Sequence, residues 1–195
     1  MISLAQRILH AIDNFERGEF EFALEDAAVA IDVTAQRHFG SSKSNRHQYK
    51  LLLDKYFWLI ELMALNGINV QESTFEHINI RGIAQPRLPD LIYHIVRCGL
   101  VHSTGLPSTL QFAEGRTLFF TKDLTVLPAQ VLWGLVAIAV FAKVNSTEQS
   151  EGEYYLSYKG QRFLIKDHWG REDLIRPVYD RHVQVRVALK ITPFA

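Results

Sequence analysis

A single cysteine, Cys98, stands among the 195 residues, so the chain can form no disulfide with itself. An excess of charge is missing too, because 21 basic residues balance 21 acidic ones. No global positive field would hold nucleic acid indiscriminately, and any polyanion must be met by a local patch. Long hydrophobic runs are absent. The longest, from Val131 to Val144, is led in by Pro128 and Gln130. It is shorter than the roughly 20 residues that a membrane-crossing helix needs, which predicts a buried helix and no membrane partner. The opening residues Met1-Ile2-Ser3-Leu4-Ala5-Gln6-Arg7 lack the basic-then-apolar order of a secretion signal, so a cytoplasmic location is expected. Also missing are Gly-x-x-x-x-Gly-Lys, Gly-x-Gly-x-x-Gly, His-Glu-x-x-His and Gly-x-Ser-x-Gly, which removes the support for nucleotide hydrolases and common hydrolases.

What is present is an ordinary globular composition, 48% hydrophobic and 22% charged, in a chain long enough for one domain or a domain with a small appendage. Leu4, Ile8, Ala11, Ile12 and Phe15 recur at helical spacing, and Gly18 follows where a terminating glycine would sit. From Glu19 to His38 a second helix carries a stripe of mostly small residues, Phe20, Ala23, Ala27, Ala30, Ile31 and Thr34, and Gly40 stops it. That stripe permits a close helix neighbour. After a polar loop from Ser41 to Asn45, Tyr49, Leu52, Leu53, Tyr56, Phe57, Ile60, Met63 and Ala64 predict a long, central third helix. The segment from Ile68 to Pro89 lacks helical period and reads as an extended connection, restricted by Pro86 and Pro89. A fourth helix begins near Asp90, with Leu91, Ile92, Ile95, Val96 and Leu100 on one side, and Tyr93, His94 and Arg97 on another.

Beyond Gly105 the period changes. Thr109 to Phe112, Glu114-Gly115 and Thr117 to Phe120 predict a hairpin over 109–120, and a fifth helix is expected from about Pro128 to Val144. A second hairpin is expected from Tyr154 to Ile165 around Lys159-Gly160, a short helix over 171–180, and a half-buried strand from His182 to Leu189. The fold class is therefore mainly α, a bundle of four to five helices over residues 1–145, followed by a small β-rich extension over 146–195.

The stretch Tyr93-His94-Ile95-Val96-Arg97-Cys98-Gly99-Leu100-Val101-His102 carries the chemistry. An arginine and a histidine five apart would arise by chance about half a time in a chain of this composition, so context must carry the weight. Histidine titrates near neutral pH and can move the proton of an RNA 2′-hydroxyl or of the leaving oxygen. A guanidinium can donate two parallel hydrogen bonds to phosphate oxygens while staying charged. In an ideal helix, five residues rotate by about 140°, so Arg97 and His102 share a site only if the helix breaks near Gly99 or if they serve different subunits.

With its Arg97-x-x-x-x-His102 in "IYHIVRCGLVHS" and the alanine-rich, acidic helix "ALEDAAVAIDVTAQRHFG" before it, the chain resembles, over about residues 1–145, the higher-eukaryote-and-prokaryote nucleotide-binding (HEPN) family. The resemblance implies a homodimer whose motifs meet near the twofold axis and a metal-independent endoribonuclease of the toxin–antitoxin or anti-phage kind, without cofactor. It makes Arg97 and His102 the catalytic pair, RNA the substrate, and an antitoxin or regulatory protein a partner. In active members the residue after the arginine is commonly Asn, Asp or His, and here it is Cys98. That departure keeps a second reading open, a non-catalytic dimerisation or regulatory module that binds a protein partner or a nucleotide.

Other residues have candidate supporting roles. Tyr93 can stack on Arg97, and Asp26 and Asp32 can orient or charge-tune the pair. Arg37, Lys43, Arg46 and Lys50 fall with His38 and His47 in a stretch free of acid, a local patch able to grip RNA phosphates. His94, Cys98 and His102 follow at i, i+4 and i+8, but residues eight apart lie about 12 Å along a helix, too far to share one metal ion. No metal site is expected. Cys98 reads as a small buried hydrophobe more readily than as a thiol nucleophile.

Overall fold

The computed structural model describes residues 2–65, 68, 69, 71–75, 80, 83–94, 110–113, 119, 120, 124–182, 185, 186, 190 and 191. The described chain is mainly helical with a few short strands.

Helix α1 (Leu4–Glu16) opens on a capping box: Ser3 Oγ accepts from the Gln6 amide, and the Gln6 side chain accepts from the Ser3 amide. Helix α2 (Phe20–Phe39) packs along it. Ala23, Ala27, Ala28, Ala30 and Ala35 of α2 are all fully buried, so the small-residue stripe does bring neighbouring backbones close. Helix α3 (Arg46–Ala64) starts on a second capping box, Asn45 with Gln48. Its residues Tyr56 to Ala64 are buried on every side, which makes it central as the apolar spacing predicts.

The extended connection from Ile68 contributes β1 (Ile68–Asn69) and β2 (Thr74–Phe75), and leads to a one-turn helix α4 (Leu88–Leu91). Three short strands follow: β3 (Leu110–Ala113), β4 (Phe119–Phe120) and β5 (Thr125–Pro128). They correct the expected 109–120 hairpin. The sheet order is β3-β5-β4, with β5 parallel to β3 and antiparallel to β4. Strand β5 feeds straight into the next helix and buries Leu127 completely, and the Ala129 amide donates to the Ala113 carbonyl at 2.9 Å. This buried partner takes the place beside β3 that a simple hairpin would give to β4.

Helix α5 (Val131–Phe141) is apolar around its circumference and nearly all buried, packed between α2 and α3. Its closest approach is at Gly134, where a Cβ atom would stand 2.6 Å from the Ile60 Cα. The expected helix over 128–144 is thus shorter at both ends, giving way to β5 before it and to a 3-10 turn (Lys143–Asn145) after it. Among the described residues no helix is long and apolar enough to cross a membrane.

Asn145 is buried and fastens this region. Its Nδ2 donates to Thr34 Oγ1 (3.0 Å) and to the Ala139 carbonyl (2.8 Å), while its Oδ1 accepts from Arg37 (2.9 Å). Arg37 also pairs with Glu148 at 2.7 Å, and the other Glu148 oxygen accepts from the Ala5 amide at 3.1 Å. One network therefore ties α1, α2 and the end of α5, and each of its buried polar groups has a partner, as an apolar surround requires.

The expected second hairpin is present as β6 (Tyr155–Tyr158) and β7 (Gln161–Leu164), closed by Lys159 and Gly160, both at positive φ. Helix α6 (Ile165–His168) and helix α7 (Glu172–His182) follow. The strand expected from His182 appears as β8 (Val185–Arg186), with β9 (Lys190–Ile191) after it. His182 itself closes α7. Strands β8 and β9 run parallel to β1 and β2, so the end of the chain returns to the connection after α3. Leu156, Tyr158, Phe163, Ile165, Trp169, Ile175 and Val178 belong to the same apolar cluster as the helices.

Replacing Gly134 by alanine must push α3 and α5 apart and is expected to cost roughly 1–3 kcal/mol or more. Urea unfolding of the G134A variant measures this, and an unchanged midpoint would contradict the close crossing.

Candidate functional site

Where the carboxyl end of the extended connection meets the first half of α3, the charged and aromatic side chains converge. Arg87 caps α4, accepting help from Asp90 three residues on, whose carboxylate takes the Arg87 amide at 2.9 Å. Pro89 suits the first turn, where an amide would be unpaired in any case. The chain then widens into a π-type turn over residues 92–94. This arrangement turns Asp90, Tyr93 and His94 toward α3.

On α3, Arg46, Lys50 and Asp54 are spaced four apart and so share a face. Lys50 forms an ion pair with the buried Asp90. The Arg46 guanidinium lies over the Tyr93 ring, 5.9 Å from its centre, and Tyr93 packs edge-on against Tyr49 at 5.4 Å. Asp54 receives Arg87 at 3.3 Å. Beside them is a cavity of about 430 Å³ lined by Arg46, His47, Lys50, Leu51 and Asp54.

His94 is half-buried, in edge contact with Tyr93 at 5.2 Å, and its Nε2 is buried without a hydrogen-bond partner. Burial lowers its pKa from the ordinary value; the charges of Arg46 and Lys50 lower it further, and Asp90 opposes them. The imidazole is therefore held neutral at neutral pH. Arg46, Lys50 and Arg87 face three carboxylates, Asp54, Asp90 and Glu72, the last 3.8 Å from Arg87, so the charges balance, and Arg46, set over the Tyr93 ring, is the member that can meet an anion such as a phosphate diester.

The candidates from the sequence divide clearly. Arg46, Lys50, Tyr93 and His94 come together. Arg37 does not join them, being held by Asn145 and Glu148. Asp26 is turned toward α1, paired with Arg7 at 2.8 Å and reached by Asn14 at 3.4 Å. Asp32 accepts a hydrogen bond from Ser44 and so steadies the loop before α3. Lys43 is exposed on that loop. Arg97, Cys98 and His102 lie outside the described residues. Among the described residues no group of three or more His, Cys, Asp or Glu side chains could hold a metal ion.

Sequence reasoning missed Asp54, Arg87 and Asp90. The signal was the four-residue spacing that puts Asp54 on the Arg46–Lys50 face, and an acid at the third helical position after Pro89. Both are commonplace until the fold sets them opposite each other.

A sign follows from the lowered His94 pKa. Below the ordinary value of 6.5 the unfolded chain binds a proton that the folded chain resists, so stability is complete above that pH and falls as pH drops through the window beneath it. Urea midpoints measured from pH 7 to pH 5 should decline, and the decline should be smaller in His94→Gln. An identical pH dependence in the variant would contradict the assignment.

Three relatives are each 24% identical over 191 residues, covering 91% of this chain and 88% of the relative. They are Rv1289 and MT1327, from the H37Rv and CDC 1551 strains of Mycobacterium tuberculosis, and Mb1320 of Mycobacterium bovis, and their names assign no activity. No solved structure matches. The family model named Rv1289 matches residues 3–195, nearly the whole length, and the chain therefore belongs to the Rv1289 family.

Proposed function

We propose that the protein is a metal-independent endoribonuclease of HEPN type, acting in the cytoplasm as a homodimer in which the Arg97 and His102 motifs of the two copies meet. The observation that carries this reading is the position of Tyr93 and His94. These residues stand four and three positions before Arg97 in the chain and lie against Arg46 and Lys50 of α3. The segment that bears the proposed catalytic pair thus leaves from beside Arg46 and Lys50 and their neighbouring cavity.

In this account Arg46 and Lys50 hold the phosphates that flank the scissile bond, a point-charge and stacking role that does not depend on base identity. His102 removes the proton from the 2′-hydroxyl, whose oxygen attacks phosphorus while the P–O5′ bond breaks; the departing 5′-oxygen takes a proton from water, and His102 returns its own to solvent. Arg97 stabilises the negative charge gathered on the non-bridging oxygens. Tyr93 holds Arg46 in place. The requirement for a 2′-hydroxyl excludes DNA as a substrate. A toxin or anti-phage effector restrained by a protein partner is the physiological role that suits such an activity.

A second reading, a non-catalytic dimerisation or regulatory module, draws on the ion pairs. Lys50 with Asp90, Arg37 with Glu148 and Arg87 with Asp54 each engage a cation that substrate phosphates would otherwise meet. Cys98 adds to it.

The two readings separate in one assay. With excess EDTA, the purified protein is expected to cut single-stranded RNA and to leave the matching DNA intact, and His102→Ala or Arg97→Ala should lower the rate by about 10²–10⁴-fold. Arg46→Ala should weaken binding and make it less salt-dependent. Absence of cleavage, or cleavage unchanged in H102A, overturns the catalytic reading in favour of the second.

A further inference from the structure

A second cavity, of about 680 Å³, lies away from the Arg46 and Lys50 face of α3. It is framed by α1, the end of α3, the start of α5 and β6 with its lead-in, through residues that include Asp13, Glu16, Gln130, Trp133, Glu153 and Tyr154. Its volume falls within the range of small-molecule sites.

Three features of its wall point the same way. The first is aromatic surface. Trp133 is fixed from behind by an edge contact with Phe15 at 4.9 Å, and Tyr154 is held by the hydrogen bond its hydroxyl donates to Asp13 at 2.9 Å. The faces of such rings attract cations. The second is charge. Lys166 pairs with Glu153 at 2.9 Å, but among the described residues no lysine or arginine forms an ion pair with Asp13 or Glu16. Their negative potential is felt locally: the Tyr154 pKa is raised, first by its hydrogen bond to Asp13, with burial and the charges of Asp13 and Glu16 adding to it. The third is an open acceptor. The side-chain oxygen of Gln130 is buried with no hydrogen-bond partner, a costly state for a polar atom unless a donor completes it.

We propose that this cavity binds an organic ammonium ion, a mono- or polyamine whose N–H groups reach Gln130 and Asp13 while its charge is met by Glu16 and the faces of Trp133 and Tyr154. An anion is excluded by the two unpaired carboxylates. A neutral apolar ligand would leave the Gln130 oxygen without a donor and the charges of Asp13 and Glu16 without a cation. The N–H donors of an ammonium ion satisfy these groups together, and its alkyl chain lies on the rings. The proposal is independent of the ribonuclease reading, because none of these residues belongs to the group around Arg46 and Lys50.

Calorimetric titration of the full chain with spermidine tests it, with 1,8-octanediol as the neutral counterpart of similar length. A single saturable site is expected, accompanied by a change in tryptophan fluorescence. The Asp13→Asn/Glu16→Gln double variant, which keeps an acceptor for Tyr154 and changes only one exposed residue besides, should bind spermidine roughly tenfold more weakly or worse. The octanediol should not bind. No saturable binding of spermidine at millimolar concentration, equal affinity in the double variant, or equal binding of the diol would each overturn the proposal.

Discussion

The crossing of α3 and α5 at Gly134 and Ile60 is the contact on which the rest of the molecule depends. A glycine there removes the Cβ that would otherwise stand 2.6 Å from the Ile60 backbone, and α5 and the second half of α3, from Tyr56 onward, can then be enclosed on nearly every side. Burial of each large aliphatic side chain is worth about 1.5–3 kcal/mol, so the pair forms the energetic centre of the core. Helices α1 and α2 cover one side, with the alanines of α2 allowing the approach, and the C-terminal hairpin and α7 add Leu156, Phe163, Ile175 and Val178 to the same cluster. One polar network lies at the margin of this core, where Asn145, Arg37 and Glu148 satisfy each other and the amino end of α1.

That centre fixes what α3 presents to solvent. From Tyr56 onward the helix is enclosed, so its accessible chemistry lies in its first two turns and a half, where Arg46, Lys50 and Asp54 line one face. The chain arriving from the extended connection meets this face with Asp90, Tyr93 and His94. Because Lys50 and Asp90 pair in a largely buried setting, α4 is held to α3 by charge as well as by Leu88, Leu91 and Ile92. The neutral His94 is a consequence of that geometry, since two cations and burial outweigh one carboxylate.

The helical core was legible because its signals are local and repeated. Gly18 and Gly40 mark stops, and the 3.6-residue period selects the buried face. The strands were harder. Those of the 110–128 region are two to four residues long, too short for alternation to establish a partner, and the choice of β5 over β4 as the neighbour of β3 rests on burying Leu127 at the entry to α5. The parallel pairing of β8 and β9 with β1 and β2 joins residues more than a hundred positions apart, which no periodicity can announce. At the candidate site the basic residues could be picked out by type but not by direction. Arg37 and Asp26 read as site residues, and in the fold they are engaged by Glu148, Asn145 and Arg7, partners supplied by other elements.

The functional account turns on whether RNA is cut by its own 2′-hydroxyl without a metal. The nature of the new ends decides it. Mass spectrometry of an oligoribonucleotide incubated with the protein in EDTA should find a 2′,3′-cyclic phosphate on one fragment and a 5′-hydroxyl on the other. Fragments ending in 5′-phosphate and 3′-hydroxyl, or an intact oligonucleotide, would contradict the account.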